Sequence, residues 1–550
     1  MNEDWTRSLE RSAFGALMAV LMAPVVAQGL WRPMVHVFGP GGDAGAVTRA
    51  AVALAVVVVL VRCFRPRLAQ LLSLGLGGLV AAGASVSLSL GLAGLLTLLS
   101  VAAVTGLLAH WLFPRLPSTL DGLAGRHKAL TALYMAVALV SFVSVARVSI
   151  FMGDPTRVDL QALPGEAFTE AHSCLTAYVH ASELARQGVD NLYADHWWHG
   201  SLGLPPLPAG VENPYRPFEL DNFNYPPTFV LLAAPLATLD GDFLAQRALW
   251  FGLNGLLVAF GLWVVARWIV GPGVHRVLLL APLLLGSVPI LLTLQIGNFH
   301  LAATVLSVLA MVALAGGRSA TGGALLAMAI LSKISPGILG IVLLVQRRVR
   351  ASVLAAGFGA LLLALSLLLF GTDPIRSFIT TALPHLSTGA AFPFMDTEAG
   401  IATNMSPFGI PFKLKLLGFD VGDPWHLGPW VSRVYTIGLL LLAVASARRR
   451  GDRRDQAIRW MSLLVLAAMQ SPFSPAYSTF ALLWATTLLS VEVQRTRDAV
   501  ALIALWPAIL YGGQGLDPLA QATLSIAQTA LIVGVSAWLV VRPARGDQVA

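Results

Sequence analysis

The feature that most limits what this chain can become is a succession of apolar runs, roughly 18 to 25 residues each, from one end to the other. Each is long enough to cross about 30 Å of hydrocarbon as a helix. In lipid no water is at hand for exposed backbone groups, so runs of this length select helices, whose bonds close within the segment. The sequence therefore predicts an all-α fold, a polytopic transmembrane helical bundle. The balance of residue types agrees: 56% hydrophobic and 12% charged, against about 25% charged in soluble domains. Frequent Gly (51) and Pro (32) suit helices that are broken or closely packed.

Spans are expected near 13–30, 47–62, 68–87, 89–112, 128–150, 226–239, 244–266, 277–294, 298–315, 320–345, 350–371, 430–447, 457–472, 476–491, 498–513 and 519–541, about sixteen in all. The basic clusters Arg62/Arg65/Arg67, Arg115/Arg126/Lys128, Arg347/Arg348/Arg350, 448–454 and Arg495/Arg497 then share one side. The positive-inside rule makes that side the cytoplasm, with both termini there, in a multi-pass protein of the inner (plasma) membrane. Arg267, Arg276 and Arg318 fall on the opposite side, and a re-entrant segment in this region is the obvious way to resolve the conflict. The net charge of +8 reads as these topology signals, with membrane lipids and not nucleic acid as surroundings. The two cysteines, Cys63 and Cys174, allow no disulfide framework or metal ligand set to be argued, and no cofactor is implied.

Two long connections, 151–225 and 372–430, face outward in this scheme, and loops of such length are usually functional. In the first, 166–187 is predicted as one helix closed by Gly188. Phe168, Leu175, Tyr178 and Leu184 recur at helical spacing, as in a helix lying on the membrane surface with its apolar side down. Asp190-Asn191-Leu192-Tyr193 follows, then His196-Trp197-Trp198-His199. The connection ends at Asp221-Asn222-Phe223-Asn224-Tyr225-Pro226-Pro227. The paired prolines hold Asn224 and Tyr225 at the water boundary, where the stretch also reads as an aromatic belt.

Polar residues interrupt three apolar stretches. Gln295-Ile296-Gly297-Asn298 is one; Lys333, in Ser332-Lys333-Ile334-Ser335-Pro336, is the second. A lysine at such depth either faces a cavity, where it can bind an anionic head group such as phosphate, or snorkels or pairs with a carboxylate. The third is Gln470-Ser471-Pro472-Phe473-Ser474-Pro475-Ala476-Tyr477, whose freed carbonyls are expected to line a wet cavity. In the second long connection, Asn404-Met405-Ser406-Pro407 precedes Lys413 and Lys415.

In this order the pieces resemble family 87 of the GT-C glycosyltransferases, polyprenyl-phosphate-sugar-dependent membrane enzymes that include mannosyltransferases of bacterial glycolipid synthesis. The similarity rests on Tyr178, Gly188 and Leu192-Tyr193; on Phe223 to Pro227; on Gln295 with Asn298; on Lys333 with Pro336; on Asn404 with Ser406; and on Ser471-Pro472-Phe473-Ser474. It spans about 128–542, so 128–550 is expected to be a GT-C-like glycosyltransferase transmembrane domain and 1–127 an extension of about four helices. The resemblance implies inverting transfer of a sugar, mannose among the candidates, from a polyprenyl-phosphate donor to a lipid or glycan acceptor on the outer face; because phosphate is already a good leaving group, a metal is not obligatory and none is assigned. It implies substrate-binding positions at Tyr178, Tyr193, Asn224, Tyr225, Gln295, Asn298, Lys333, Asn404 and Ser471.

Two departures qualify it. The family usually has a catalytic Asp four residues before the tyrosine matching Tyr178, where this chain has Cys174; and Pro475-Ala476-Tyr477 stand where Trp and His often follow. A base must then come from elsewhere. Glu170 leads, since one turn before Cys174 it would share that residue's face if 166–187 is one helix. Asp159, with Asp154, stands near the end of the preceding helix as the alternative, and His172 is offset from that face. Cys174 itself is a poor base, because a thiol of pKa about 8.5 is mostly protonated at neutral pH. A non-catalytic relative, or a transporter or lipid-handling protein, is the competing reading. Matching halves with broken helices at corresponding positions, the mark of a transporter, are not visible.

Overall fold

The computed structural model describes residues 25, 28–29, 128–201, 203–239, 242–271, 281–490, 496–510 and 516–543. The spans expected near 47–62, 68–87 and 89–112, nearly all of that at 13–30, and with them the 1–127 extension, lie outside the described residues. In chain order the principal helices are α1 (Lys128–Gly153), α2 (Ala167–Ala171), α3 (Cys174–Arg186), α4 (Phe243–Val270), α5 (Val288–Ile296), α6 (His300–Ala315) and α7 (Ser319–Ser332). There follow α8 (Gly337–Val345), α9 (Val349–Phe370), α10 (Ile410–Leu416), α11 (Pro424–Arg448), α12 (Arg453–Ala468), α13 (Phe480–Ser490) and α14 (Pro518–Val541). No strand occurs among the described residues.

The chain divides into two compact units, Met1–Gly165 with Leu239–Ser287, and Glu166–Thr238 with Val288–Ala550. In the first, α1 packs on α4. The Asp242 carboxylate accepts from the Ala245 N–H at 2.9 Å and caps α4, which rises about 42 Å before Gly271 ends it at φ 58°. Arg247 of α4 is wholly buried, its guanidinium 5.1 Å from the centre of the Phe151 ring.

In the second unit the apolar runs do not all become straight spans. Four helices of the described chain, α4, α9, α11 and α14, are long and apolar enough to cross a bilayer alone, and α5 with α6 makes a fifth only if counted as one broken span. Those two meet at a bend of 114°, with Gly297 at φ 74° in the turn and Asn298 Oδ1 accepting the His300 N–H at 2.9 Å to start α6. The region where the arginine pattern failed therefore contains the geometry of a re-entrant or broken segment. The single span expected at 320–345 is likewise two helices. Lys333 is extended (φ −154°, ψ 121°), and Pro336, which has no N–H to give, stands just ahead of α8. Leu361 and Leu368 of α9 and Val434 and Leu441 of α11 are largely exposed, which suits lipid as their solvent; this is a membrane protein.

The helix predicted over 166–187 is also broken. His172 (φ −87°, ψ 133°) and Ser173 (φ −148°, ψ 109°) are extended and separate α2 from α3. Nor does α3 lie on a surface: ten of its residues, among them Cys174, Leu175, Thr176, Tyr178 and Ser182, are buried in protein. The sequence signal at its end does hold. Gly188, at φ 75°, donates to the Ala185 carbonyl at 3.2 Å and Val189 to that of Leu184 at 3.1 Å, the paired bonds of a left-handed helix stop.

At the break from Gln470 to Tyr477, protein groups take up the freed backbone bonds. Asn404 Nδ2 donates to the Pro472 carbonyl (2.8 Å) while its Oδ1 accepts the Ser474 N–H (3.1 Å). Ser406 Oγ donates to the Met469 carbonyl (3.0 Å), and Met405 N–H to that of Ser474 (2.8 Å). Thr529, well inside α14, donates to the Met405 carbonyl at 3.0 Å, so this stretch of the second long connection packs deep in the unit.

Candidate functional site

The break between α2 and α3 builds the centre of the site. In extended backbone, side chains two apart fall on one side, so His172 and Cys174 point together, with His172 Nε2 3.3 Å from Cys174 Sγ. Phe168 stacks on the imidazole, ring centres 4.4 Å apart. The end of the first long connection is pinned against this break. Glu219 N–H donates to the Ala171 carbonyl (2.8 Å), and Thr176 Oγ1 donates to the Glu219 carbonyl (3.1 Å) while accepting the Asp221 N–H (2.9 Å). Asp221 is thereby delivered to the pair. Its Oδ1 accepts the Asn222 N–H at 2.9 Å, and Oδ2 lies 3.8 Å from His172 Nε2.

On the other side of Cys174, the two helix breaks converge. Asn298 Nδ2 donates to Cys174 Sγ at 3.3 Å, and Lys333 Nζ donates to Asn298 Oδ1 at 3.3 Å, its ammonium 5.4 Å from the centre of the Tyr225 ring. The Asn298 amide also reaches the hydroxyls of Tyr225 (3.3 Å) and Tyr477 (3.4 Å). Tyr178 OH donates to Tyr225 OH (2.8 Å) and accepts the Phe299 N–H (3.2 Å); Tyr193 OH donates to the Tyr225 carbonyl (2.8 Å). Tyr225 is thus tied into the interior, not held in an interfacial belt. Gln295, fully buried, donates to the Thr169 carbonyl at 3.0 Å and fastens α5 to α2.

Other expected positions stand apart from this cluster. Asn224 Nδ2 donates to the Ala391 carbonyl at 3.4 Å. Asn404 is occupied by the Pro472 to Ser474 backbone, and Ser471 sits in the bend after α12, its N–H on the Ala468 carbonyl at 3.4 Å. Glu170 is half-buried on α2, and the helical continuity that would align it with Cys174 is absent. Asp159 belongs to the other unit. Its exposed carboxylate pairs with Arg157 at 3.3 Å, and that hydrogen bond holds the carboxyl below its usual range.

Burial, reinforced by the neighbouring Asp221 carboxylate, pushes the Cys174 thiol well above its ordinary pKa, so it stays protonated at neutral pH. A cysteine-histidine-carboxylate relay is excluded by geometry, because the same Nε2 faces both Sγ and Oδ2, whereas a relay needs one ring nitrogen for each partner. What remains is one partly exposed carboxylate beside a neutral thiol, with a lysine reaching the same thiol through Asn298. In the sequence Asp221 reads only as part of the approach to Tyr225, and His172 lies off the helical face shared by Glu170 and Cys174. The signal that marks Asp221 is a carboxylate directly ahead of the Phe223 to Pro227 motif.

No curated protein and no solved structure matched the chain. The family match starts at Phe223, so it takes in Tyr225, Asn298, Lys333 and Asn404 but leaves His172, Cys174 and Asp221 outside, and it is narrower than the 128–542 over which the motifs are similar. Residues 223–475 match the model of glycosyltransferase family 87, the family that the ordered motifs resemble, and in a chain of lipid-facing helices that match points to membrane-embedded sugar transfer.

Proposed function

We propose that the protein is an inverting membrane glycosyltransferase in which Asp221 takes the place of the aspartate that Cys174 replaces. The donor is a polyprenyl-phosphate sugar, mannose being one candidate, and the acceptor a lipid or glycan on the outer face of the inner membrane, with both termini cytoplasmic. The observation that carries this reading is the position of the Asp221 carboxylate, in contact range of His172 Nε2 and in the field of the Cys174 thiol.

Asp221 accepts the proton of the acceptor hydroxyl as the acceptor oxygen bonds to the anomeric carbon. The bond from that carbon to the phosphate oxygen breaks, and polyprenyl phosphate leaves with the electron pair. Lys333, held by Asn298 against Tyr225, supplies the cation that stabilises the departing charge. Tyr178, Tyr193, Tyr225 and Gln295 shape the donor side around it. A cleft of about 480 Å³ in the same long connection is lined by polar Ser201, Asn213, Arg216 and Glu219 and by apolar Leu204, Leu207, Phe218 and Leu220. Polar groups beside apolar walls suit the two faces of a sugar ring, which makes this cleft the acceptor side in the proposal.

The test is transfer by purified full-length protein from a panel of polyprenyl-phosphate sugars, comparing wild type with Asp221→Asn, Glu170→Gln and Asp159→Asn. Loss confined to Asp221→Asn supports the assignment. Full activity in Asp221→Asn rejects it, loss in Glu170→Gln or Asp159→Asn alone moves the base there, and no transfer by wild type under any condition favours a non-catalytic relative.

A further inference from the structure

We infer that His172, Cys174 and Asp221 form a binding site for a soft or borderline divalent metal ion of the Zn²⁺, Co²⁺ and Cd²⁺ class. Nε2, Sγ and a carboxylate oxygen all lie within 4.8 Å of one another. In a tetrahedral zinc site with Zn–N near 2.0 Å and Zn–S near 2.3 Å, nitrogen and sulfur ligands stand about 3.5 Å apart. Here Nε2 and Sγ are 3.3 Å apart and Nε2 and Oδ2 3.8 Å, and the Sγ to carboxylate separation is within 4.8 Å, so a single ion reaches all three once the partly exposed Asp221 side chain turns inward by about an ångström.

The donors are also held as ligands are. His172 is fixed by the Phe168 stack, Asp221 Oδ1 by the Asn222 N–H with Oδ2 left facing the ring, and Cys174 Sγ by the Asn298 amide. The half-buried His172 and Asp221 leave one side open, which gives three protein ligands and a free fourth position. Thiolate and imidazole select this metal class over Mg²⁺ or Ca²⁺, which take oxygen.

On binding, the Cys174 S–H bond breaks and a metal–sulfur bond forms. One proton passes to buffer, and no oxidant or reductant is needed. The thiolate and carboxylate neutralise the ion, and Lys333, linked to Sγ through Asn298, helps hold the sulfur deprotonated. If Asp221 is the base, which rests on the preceding proposal, an ion held there blocks transfer. Zn²⁺ is then an inhibitor of this enzyme.

The experiment is a Co²⁺ titration of chelator-treated full-length protein in detergent, followed by absorbance. A thiolate-to-cobalt charge-transfer band and tetrahedral d–d bands are expected, saturating at one ion per chain with release of a proton. Cys63→Ser keeps the charge-transfer band and Cys174→Ser abolishes it, an unambiguous assignment because the chain has two cysteines. His172→Gln, at a position less buried than Cys174, weakens binding about tenfold or more. A charge-transfer band that survives Cys174→Ser, or no saturable binding by wild type, overturns the inference. The two proposals fail separately. Cobalt binding without transfer sinks the enzyme reading alone; transfer that micromolar Zn²⁺ leaves untouched, in protein that binds no Co²⁺, sinks the metal site alone.

Discussion

Two kinds of helix break occur in the second unit, and they end differently. At Gln470 to Tyr477 the interrupted helix is resealed, because Asn404 and Ser406 use their side chains to bond the freed backbone groups, and the break lends the cluster the hydroxyl of Tyr477 at its far end. At Gly297 and at Lys333 the breaks instead bring side chains to each other, and the amide of Asn298 and the ammonium of Lys333 meet beside Cys174. The sequence marks all three alike, with polar residues, glycine or proline inside apolar runs. The difference lies in what those groups bond. A break whose side chains are spent on backbone is architecture, whereas one whose side chains converge on a partly exposed carboxylate can perform chemistry.

That contrast can be broken by mutation. The largest expected effect is in Asp221→Asn, which removes the proposed base and should lower the transfer rate on the order of 10² to 10⁴-fold while thermal unfolding in detergent stays unchanged. Adding Cys174→Asp to that variant returns a carboxylate to the neighbouring position. Recovery of part of the lost rate in the double variant is the expected result, and a rate no better than the single variant's would argue against a shared role for the two positions.

Lys333→Ala should follow, weakening use of the phosphate donor by the roughly 1.5–3 kcal/mol of a charged hydrogen bond, about ten- to a hundredfold, with Lys333→Arg intermediate. Donor saturation curves measure it. Unchanged donor use by a well-folded Lys333→Ala protein would make this break architectural as well.

Asn404→Ala should behave in the opposite sense. It strands the Pro472 carbonyl and the Ser474 N–H in a buried place, at about 1–3 kcal/mol each, so the unfolding temperature falls while activity per folded molecule holds. Smallest is Gly188→Ala. A Cβ there meets nothing within 4 Å, leaving only the left-handed backbone cost of about 1 kcal/mol, read as a small drop in the same melt.

Much of this was legible in the sequence, and the reasons differ by residue. Lys333 and Asn298 stand out because charged and amide groups in apolar runs need partners, and each other's company is what they find. Gly188 is legible because left-handed backbone favours glycine. Asp221 and His172 were not legible, since their meeting depends on an extended pair, His172 and Ser173, inside what helical spacing presents as continuous. Periodicity reports which faces are apolar; it does not reveal where a helix yields two residues to aim a side chain. The helical alignment of Glu170 with Cys174 is lost at that same extended pair.

The exposure of α9 reaches further than its own stability. This helix of 22 residues, about 33 Å long, has only 6% of its apolar window inside the protein, yet it packs along α7, the helix that ends at Lys333. Hydrocarbon is therefore one of the walls that keep α7 in place. A thinner or thicker bilayer, or a short-chain detergent, presses on α9, the least enclosed of the four spans, and through α7 on Lys333. The acyl-chain length of the surrounding lipid becomes a working variable of this protein, as concrete as salt or temperature.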